Sequence, residues 1–307
     1  MATAVGSIDQ EGYDLKVSPA WALAALASVV ALAVFAPSGL YLLGFLGLII
    51  VAHEAGHYLV ARRAGMRPTE FFWGFGPELL SVRVGDCRFG LRALFLGGYV
   101  RLEGMTPQSE LPDGFDEAGT FRSAPAKGRL ATILAGPAVN LVMAYLAFVA
   151  AGIVGGLSVT AALGAGGSQL WFVISATAEA LWVWVDNLGA YMAALFDTSG
   201  RTEAPVRFLS PVGQADISRR AVDLGLVTSL QWFGILSAAI GAINLLPLPP
   251  LDGAHALAAA AEGAWRRLTG RTRQFDVARL VPLAYLTIGV LVVLSVSALV
   301  LDIRDLA

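Results

Sequence analysis

Three residues within one short stretch have the types and the spacing of a metal-dependent hydrolase site. Residues 51–63 read VAHEAGHYLVARR and contain the pattern H-E-x-x-H, formed by His53, Glu54 and His57. On a helix, histidines four residues apart project from the same face, so both imidazoles can bind one zinc ion. The glutamate beside the first histidine can then act as a general base toward a water molecule activated by the metal. The same pattern also arises by chance in buried helices. The residues around it must therefore show whether it is a functional site or a chance match.

The surroundings of this pattern are apolar over a membrane-spanning length. Residues 39–61 are long enough to cross a bilayer as a helix and are otherwise almost wholly apolar. Insertion scales assign about 2.5–3.5 kcal/mol to a charged residue at the centre of such a helix. A glutamate and two histidines in this segment therefore indicate a functional site rather than a chance match.

The composition is that of an integral membrane protein. Of 307 residues, 56% are hydrophobic and 14% are charged, and the mean hydropathy is +0.68. Soluble domains carry about 25% charged residues. The net charge of −2 gives no sign of a nucleic-acid partner. Cys87 is the only cysteine, which excludes an intrachain disulfide.

The apolar runs predict an all-α polytopic membrane protein with about five transmembrane helices. The predicted spans are residues 19–36, 39–61, 129–154, 228–251 and 280–300. Residues 1–18 lack the basic region of a signal peptide and are interpreted as a cytoplasmic tail, followed by one integral membrane domain over residues 19–307.

Two segments between the predicted spans have a character of their own. Residues 66–105 contain strand candidates with little polar face at 71–75, 79–84 and 89–102. They predict a small membrane-associated β-hairpin or sheet. Residues 170–196 mix tryptophans with acidic residues. This mixture favours a helix lying in the membrane interface over one that spans.

The arginines predict the orientation in the cell membrane. Most of them follow either the H-E-x-x-H span or Asp252, and loops rich in arginine stay on the cytoplasmic side. We therefore expect the N-terminus and the active-site side to be cytoplasmic and the C-terminus to be outside. His53 lies nine residues before Arg62, which is about 14 Å along a helix. The site is thus expected in the cytoplasmic half of the membrane.

A catalytic zinc usually has three protein ligands, so a third must come from elsewhere in the chain. Besides His53 and His57 the sequence holds one more histidine, His255. Among the acids, Asp252 is the best candidate because it follows three prolines that break the end of a predicted span. An ordinary acid at a helix end would give the same pattern, so the residues alone leave both interpretations open.

Five segments in order resemble the site-2 protease family of intramembrane zinc metalloproteases. They are HEAGH at 53–57, GFGP at 74–77, LGGYVRLEGM at 96–105, AGPAVN at 135–140 and NLLPLPPLDGAH at 244–255. The resemblance implies that His53, His57 and Asp252 bind Zn²⁺ and that Glu54 is the catalytic base. It also implies that Asn244 holds the scissile carbonyl or the oxyanion.

Other residues of these motifs have less definite roles. His255 is expected to support the metal ligands rather than to bind zinc itself. Asn140 is either part of the catalytic site or a residue that forms a hydrogen bond between membrane helices. Residues 155–227 are too few and too apolar for the PDZ domain that bacterial relatives often carry. The chain therefore resembles a compact bacterial-type member without a PDZ domain.

The resemblance implies an intramembrane zinc endopeptidase acting in regulated proteolysis. Its substrates would be single-pass membrane proteins such as anti-sigma factors or signal-peptide remnants, cleaved within their transmembrane segment. The implied partners are this substrate, membrane lipid and an upstream site-1-type protease that trims the substrate first. Residues 89–102 resemble the family's membrane-associated β-hairpin, to which an unwinding substrate can add a strand.

Two alternatives use the same residues. In a membrane zincin of another type, a downstream glutamate completes the site, and Glu262 is the candidate. A non-proteolytic metal-binding or transport protein is the other alternative. A transporter should show polar residues along a path through several spans, whereas this chain concentrates them at one site. An inactive relative should have lost Glu54, which is present.

Overall fold

The computed structural model describes residues 37–106, 109–187, 189–190, 209–271, 275 and 277–306, together with 15–17, 19, 23 and 26–28. The first predicted span, residues 19–36, lies largely outside this part of the chain. Most of residues 1–18 also lie outside it.

Seven α-helices carry most of the described structure. They are α1 (Ser38–Arg63), α2 (Ala126–Val154), α3 (Val159–Asp186), α4 (Pro211–Asp223), α5 (Leu226–Asn244), α6 (Asp252–Thr269) and α7 (Val281–Leu306). Short 3₁₀ helices lie at Glu117–Gly119 and Val277–Leu280. Five of the described helices, α1, α2, α3, α5 and α7, are long and apolar enough to cross a membrane. The predicted fold class, a polytopic helical protein with about five spans, is confirmed.

Helix α3 differs from the expectation of an interfacial helix over residues 170–196. It starts at Val159, eleven residues earlier, and its 28 residues suffice for a crossing. The small residues at its start resemble a linker in the sequence, but small residues also allow membrane helices to approach closely. A Cβ on Gly166 would lie 2.7 Å from Val149 of α2, which shows how tightly this segment packs.

Helices α1, α3 and α5 all run antiparallel to α2. On α1, His53 lies beside Asn140 of α2, and His57 lies beside Thr132. On α5 and α3 the same reversal is seen in close contacts at glycines: Gly234 with Phe148, Gly241 with Asn140, Gly152 with Ala162 and Gly166 with Val149. The three helices therefore begin toward the C-terminal end of α2 and run toward its N-terminal end.

A three-stranded antiparallel sheet lies between α1 and α2 in the sequence. It has the order β1 (Leu15–Val17), β2 (Pro68–Val84) and β3 (Cys87–Leu102). Phe71 of β2 is paired with Phe89 and also with Val100, so both halves of β3 lie along β2. Among the described strands, the last part of β3, residues 98–102, pairs with β2 alone. The predicted β element is thus present. Among the described strands, residues 98–102 of β3 have a strand partner on one side only.

Strand β1 falls in residues that the sequence assigns to the tail. Its backbone pairs with residues 80–82 of β2. Three residues are too few to give a strand pattern in the sequence, and the strand forms because β2 offers it an edge.

Helix α5 ends at Asn244, seven residues before the predicted end of its span at residue 251. Residues 245–251 contain three prolines, which cannot continue a regular helix, and the next helix begins directly at Asp252.

Two apolar clusters fix the ends of this arrangement. One joins the end of α1 to β3, α2 and α6, with Ala61, Leu102, Ile133 and Ala256 at its centre. The other joins the first half of α1 to α4 and α5 through Leu42, Ile49, Ala215 and Leu236. Helices α6 and α4 therefore contact opposite ends of α1.

Candidate active site

Helix α1 presents the H-E-x-x-H residues toward the neighbouring helix α2. His53 and His57 are 7% and 9% exposed, so both rings lie inside the protein. One turn of helix separates them, which brings their Nε2 atoms to 3.1 Å from each other. The close crossing depends on Gly56, because a Cβ there would lie 2.7 Å from the carbonyl oxygen of Ala135.

Asp252 reaches this pair from the start of α6. Asp252 belongs to the first turn of that helix, where the helix dipole favours a negative charge. Gly253 packs so closely on the carbonyl oxygens of Leu245 and Leu246 that a side chain would collide with them. This contact folds the proline-rich segment back and directs α6 toward α1.

The three side chains converge on one point. Oδ2 of Asp252 lies 3.0 Å from Nε2 of His53 and 3.4 Å from Nε2 of His57. Zinc bonds of about 2.0–2.2 Å in a tetrahedron separate the ligand atoms by roughly 3.3–3.6 Å. The observed separations are close to these values, and within the described residues this is the group that could hold a metal ion. Oδ2 of Asp252 is buried and faces the two ring nitrogens.

Gly136 of α2 leaves an open space in front of these side chains. A Cβ at this position would collide with Nε2 of His57 and lie 2.7 Å from Nε2 of His53. The gap therefore opens directly onto these two Nε2 atoms. Gly136 has no side chain to mark it in the sequence, although its position four residues before Asn140 puts both residues on one face of α2.

We expect Gly136→Ala to lower the affinity for zinc by at least about 10–100-fold. This is the loss that follows when a group hydrogen-bonded to a metal ligand is removed. The added methyl group would occupy the space next to both Nε2 atoms. Zinc affinity can be measured by competition with a chelator in the purified protein. Gly44→Ala is the control, since a Cβ at Gly44 of α1 meets no atom within 4 Å. Equal affinity in both variants would contradict the assignment of this space to the metal.

The outer nitrogens of both rings have partners on α2. Nδ1 of His57 donates to the backbone carbonyl of Thr132 at 2.8 Å, which leaves a lone pair on Nε2. Nδ1 of His53 lies 3.1 Å from the amide group of Asn140. Thr132, like Gly136, was missed in the sequence, because a backbone carbonyl gives no residue-type signal.

Glu54 lies on the same helix but faces the sheet. Gly98 of β3 allows the strand to come close, since a Cβ there would lie 3.0 Å from Cγ of Glu54. The backbone of Val100 also lies next to the Glu54 carboxylate. The carboxylate thus lies between the two histidines and the last part of β3.

Asn244 and His255 lie outside the three-residue group. The amide of Asn244 donates to the carbonyl of Ile240 in its own helix at 3.1 Å. His255 follows Asp252 on α6, and burial lowers the pKa of its imidazole although the Asp252 charge opposes this. The expected roles of these residues stay predictions.

Glu262, the alternative third ligand, has another partner. Its carboxylate forms a buried ion pair with Arg129 of α2 at 2.5 Å and accepts a hydrogen bond from the Phe275 amide at 2.6 Å. Side-chain exposures of 6% and 12% show that the pair is shielded from solvent. The ion pair of Glu262 with Arg129 therefore links α6 to α2. This geometry does not support the alternative zincin site in which Glu262 is the third ligand.

The chain is similar to known peptidases over most of its length. A sequence model described as Peptidase family M50 matches residues 41–289. Zinc metalloprotease Rip1 of Mycobacterium tuberculosis is 43% identical over 122 residues, which are 39% of this chain and 30% of that protein. The protein FN1322 of Fusobacterium nucleatum is 42% identical over 111 residues, 36% of this chain and 31% of that protein. The matched region thus spans less than a third of these relatives.

Proposed function

Because the chain belongs to peptidase family M50, we propose that it is an intramembrane zinc endopeptidase. The observation that carries this proposal is the convergence of Asp252 with His53 and His57, next to Glu54, where the last three residues lie on a helix long enough to cross a membrane. In this proposal the two histidines and Asp252 hold the zinc ion. When bound, zinc acts as a Lewis acid and lowers the pKa of a water ligand to about 7.

The carboxylate of Asp252 has an electrostatic role besides binding. Two neutral imidazoles leave the double positive charge of zinc uncompensated in a buried site, which is unfavourable at low dielectric. Asp252 supplies one negative charge at the point where it is needed. This is the physical reason for a carboxylate rather than a third neutral ligand.

Glu54 acts as the general base in this mechanism. Its carboxylate takes a proton from the attacking water and can later return it to the leaving amine. The carboxylate lies next to the last part of β3, at Gly98 and Val100. Asn244 is proposed to donate its amide to the oxyanion of the substrate. To do so it must exchange its present partner, the Ile240 carbonyl, for the substrate.

The proposed substrate is a transmembrane segment that binds in extended form. The amide groups of an intact helix are bonded within the helix, so the segment must unwind before a carbonyl can be attacked. Residues 98–102 of β3 pair with β2 alone among the described strands, so their other side can accept an added strand. Such a strand would pass Glu54, which β3 contacts at Gly98.

We further propose that the substrate is a single-pass protein, such as an anti-sigma factor or a signal-peptide remnant, first trimmed by a site-1-type protease. This follows from the resemblance noted in the sequence. The direct experiment incubates the purified zinc-loaded protein with a single-pass substrate in detergent or vesicles and locates the cut by mass spectrometry. A cut within the transmembrane segment supports the proposal, and a cut confined to soluble flanks contradicts it.

The orientation in the membrane is also proposed from the arginines and the fold. Arg62 and Arg63 end α1, and Arg266 and Arg267 lie in the last turn of α6, which packs on the same end of α1. Helix α4 packs on the other end of α1. The positive-inside rule then gives a cytoplasmic end at α6 and an outside end at α4.

Cysteine labelling tests this orientation in the Cys87→Ala background. We expect an impermeant maleimide to label Arg220→Cys on α4 in intact cells and to spare Arg267→Cys on α6 until the cells are opened. Both native side chains are exposed. The Cys87→Ala substitution removes the one native thiol, which is itself buried and has its pKa raised by burial to about 11. The reverse labelling pattern would overturn the orientation.

A further inference from the structure

Asn140 is a fully buried polar residue at the centre of the site that the proposed mechanism does not use. Its exposure is 0%, and its Nδ2 lies 3.1 Å from Nδ1 of His53. Oδ1 of the same amide has no hydrogen-bond partner. A buried amide with a single contact, and that contact on the outer nitrogen of a proposed zinc ligand, requires an explanation.

The two possible orientations of this amide have opposite consequences for His53. If Nδ2 donates to Nδ1, the single proton of the neutral ring must sit on Nε2. That nitrogen is 3.0 Å from Oδ2 of Asp252 and 3.1 Å from Nε2 of His57, where a metal ligand needs a lone pair. A half-turn of the amide puts Oδ1 opposite Nδ1 instead. The ring proton then sits on Nδ1 and donates to Oδ1, and Nε2 is free to bind metal.

Helix α2 already provides this arrangement for the other histidine. The carbonyl of Thr132 accepts the Nδ1 proton of His57. Thr132, Gly136 and Asn140 follow one another at intervals of four residues, so they share one face of α2. That face therefore offers an acceptor for His57, an open space for the ion and a second polar group for His53.

We propose that Asn140 is a positioning residue whose side-chain carbonyl accepts the Nδ1 proton of His53 and thereby fixes the tautomer and the ring orientation that bind zinc. This inference rests on the proposed zinc site and deepens it. The sequence left two roles open for Asn140, in the catalytic site or in a hydrogen bond between membrane helices. The contact of Asn140 on α2 with His53 on α1 serves both roles at once.

Zinc affinity of three variants tests this role. Asn140→Leu keeps the size of the side chain but removes the acceptor, and we expect a loss of about 10–100-fold in affinity. The carboxylate of Asn140→Asp can only accept a hydrogen bond, so it can still accept the Nδ1 proton of His53. The loss of zinc affinity in this variant should not exceed about 10-fold. Ser237→Ala is the control, because the Ser237 hydroxyl donates to the backbone carbonyl of Asn140 at 2.8 Å without touching the ring. It should bind zinc like the wild type.

The outcomes separate this inference from the proposed function. Wild-type protein that binds no zinc would overturn the site itself. Wild-type binding with unchanged affinity in Asn140→Leu would overturn only the role of Asn140. Equal losses of zinc affinity in Asn140→Leu and Asn140→Asp would also overturn the role of Asn140. They would show that zinc binding depends on the NH₂ group of the amide and not on its carbonyl. The unfolding temperature of each metal-free variant identifies any loss of folding.

A spectroscopic measurement tests the proposal first in the wild type and then in the Asn140→Leu variant. The chain has three histidines, so ¹⁵N-histidine labelling of the zinc-loaded wild type gives a simple imidazole spectrum. We expect hydrogen-bonded Nδ1 protons on both His53 and His57. In Asn140→Leu, the His53 proton alone should lose its hydrogen-bonded shift, while His57, held by Thr132, serves as the internal reference. A wild-type His53 without a proton on Nδ1 would overturn the proposal.

Discussion

Asp252→Ala is expected to abolish both zinc binding and peptide cleavage. Loss of a hydrogen-bond partner beyond the ligands already lowers metal affinity about 10–100-fold, and loss of a ligand should lower it further. The variant removes one of three converging atoms and the negative charge that offsets the metal. Zinc content after purification and affinity by chelator competition are the measurements, together with cleavage of a single-pass substrate.

Two further variants make this prediction specific. Asp252→Asn keeps an oxygen of similar shape without the charge, so it should bind zinc weakly. Glu262→Ala removes a carboxylate ten residues later on the same helix and should retain zinc, although the Arg129 partner left in the interior should lower stability. If Asp252→Ala kept full zinc and activity while Glu262→Ala lost both, the site-2 assignment would be wrong.

Glu54→Gln is expected to remove cleavage and leave zinc in place. General bases contribute about 10²–10⁴-fold to rates, and the amide of glutamine cannot take a proton from water. Glutamine keeps the size and shape of the side chain, so the contact with Gly98 of β3 is preserved. The reduction should therefore appear in kcat rather than in metal content.

The control for this variant is Glu179→Gln on α3, an exposed carboxylate outside the site. Its metal content and activity should equal those of the wild type. Full loss of zinc from Glu54→Gln would show that Glu54 is needed to build the site, and undiminished cleavage would exclude it as the base.

The residues that carry the proposed chemistry could be predicted because their spacing is local. Five consecutive residues on one helix contain His53, Glu54 and His57. The prolines before Asp252 predict that the span ends irregularly there. The structure brings these distant segments together, with the Asp252 carboxylate 3.0 Å from His53. What made the pairing predictable was the family resemblance, since no spacing rule joins residues two hundred positions apart.

Other parts of the site depend on packing that the sequence does not display. Gly136 matters through the absence of a side chain, and Thr132 acts through its backbone carbonyl, so neither is marked by its chemistry. The start of α3 resembles a linker because its small residues are the ones that pack against α2. Strand β1 exists only because β2 offers it an edge.

The ion itself provides the most direct test of the proposed site. Anomalous scattering recorded at the zinc absorption edge, from crystals of the purified protein, would locate the metal. We expect a single strong peak about 2.0–2.2 Å from Nε2 of His53, Nε2 of His57 and a carboxylate oxygen of Asp252. A peak held by Glu262, or at a site that includes neither histidine, would contradict the proposed active site.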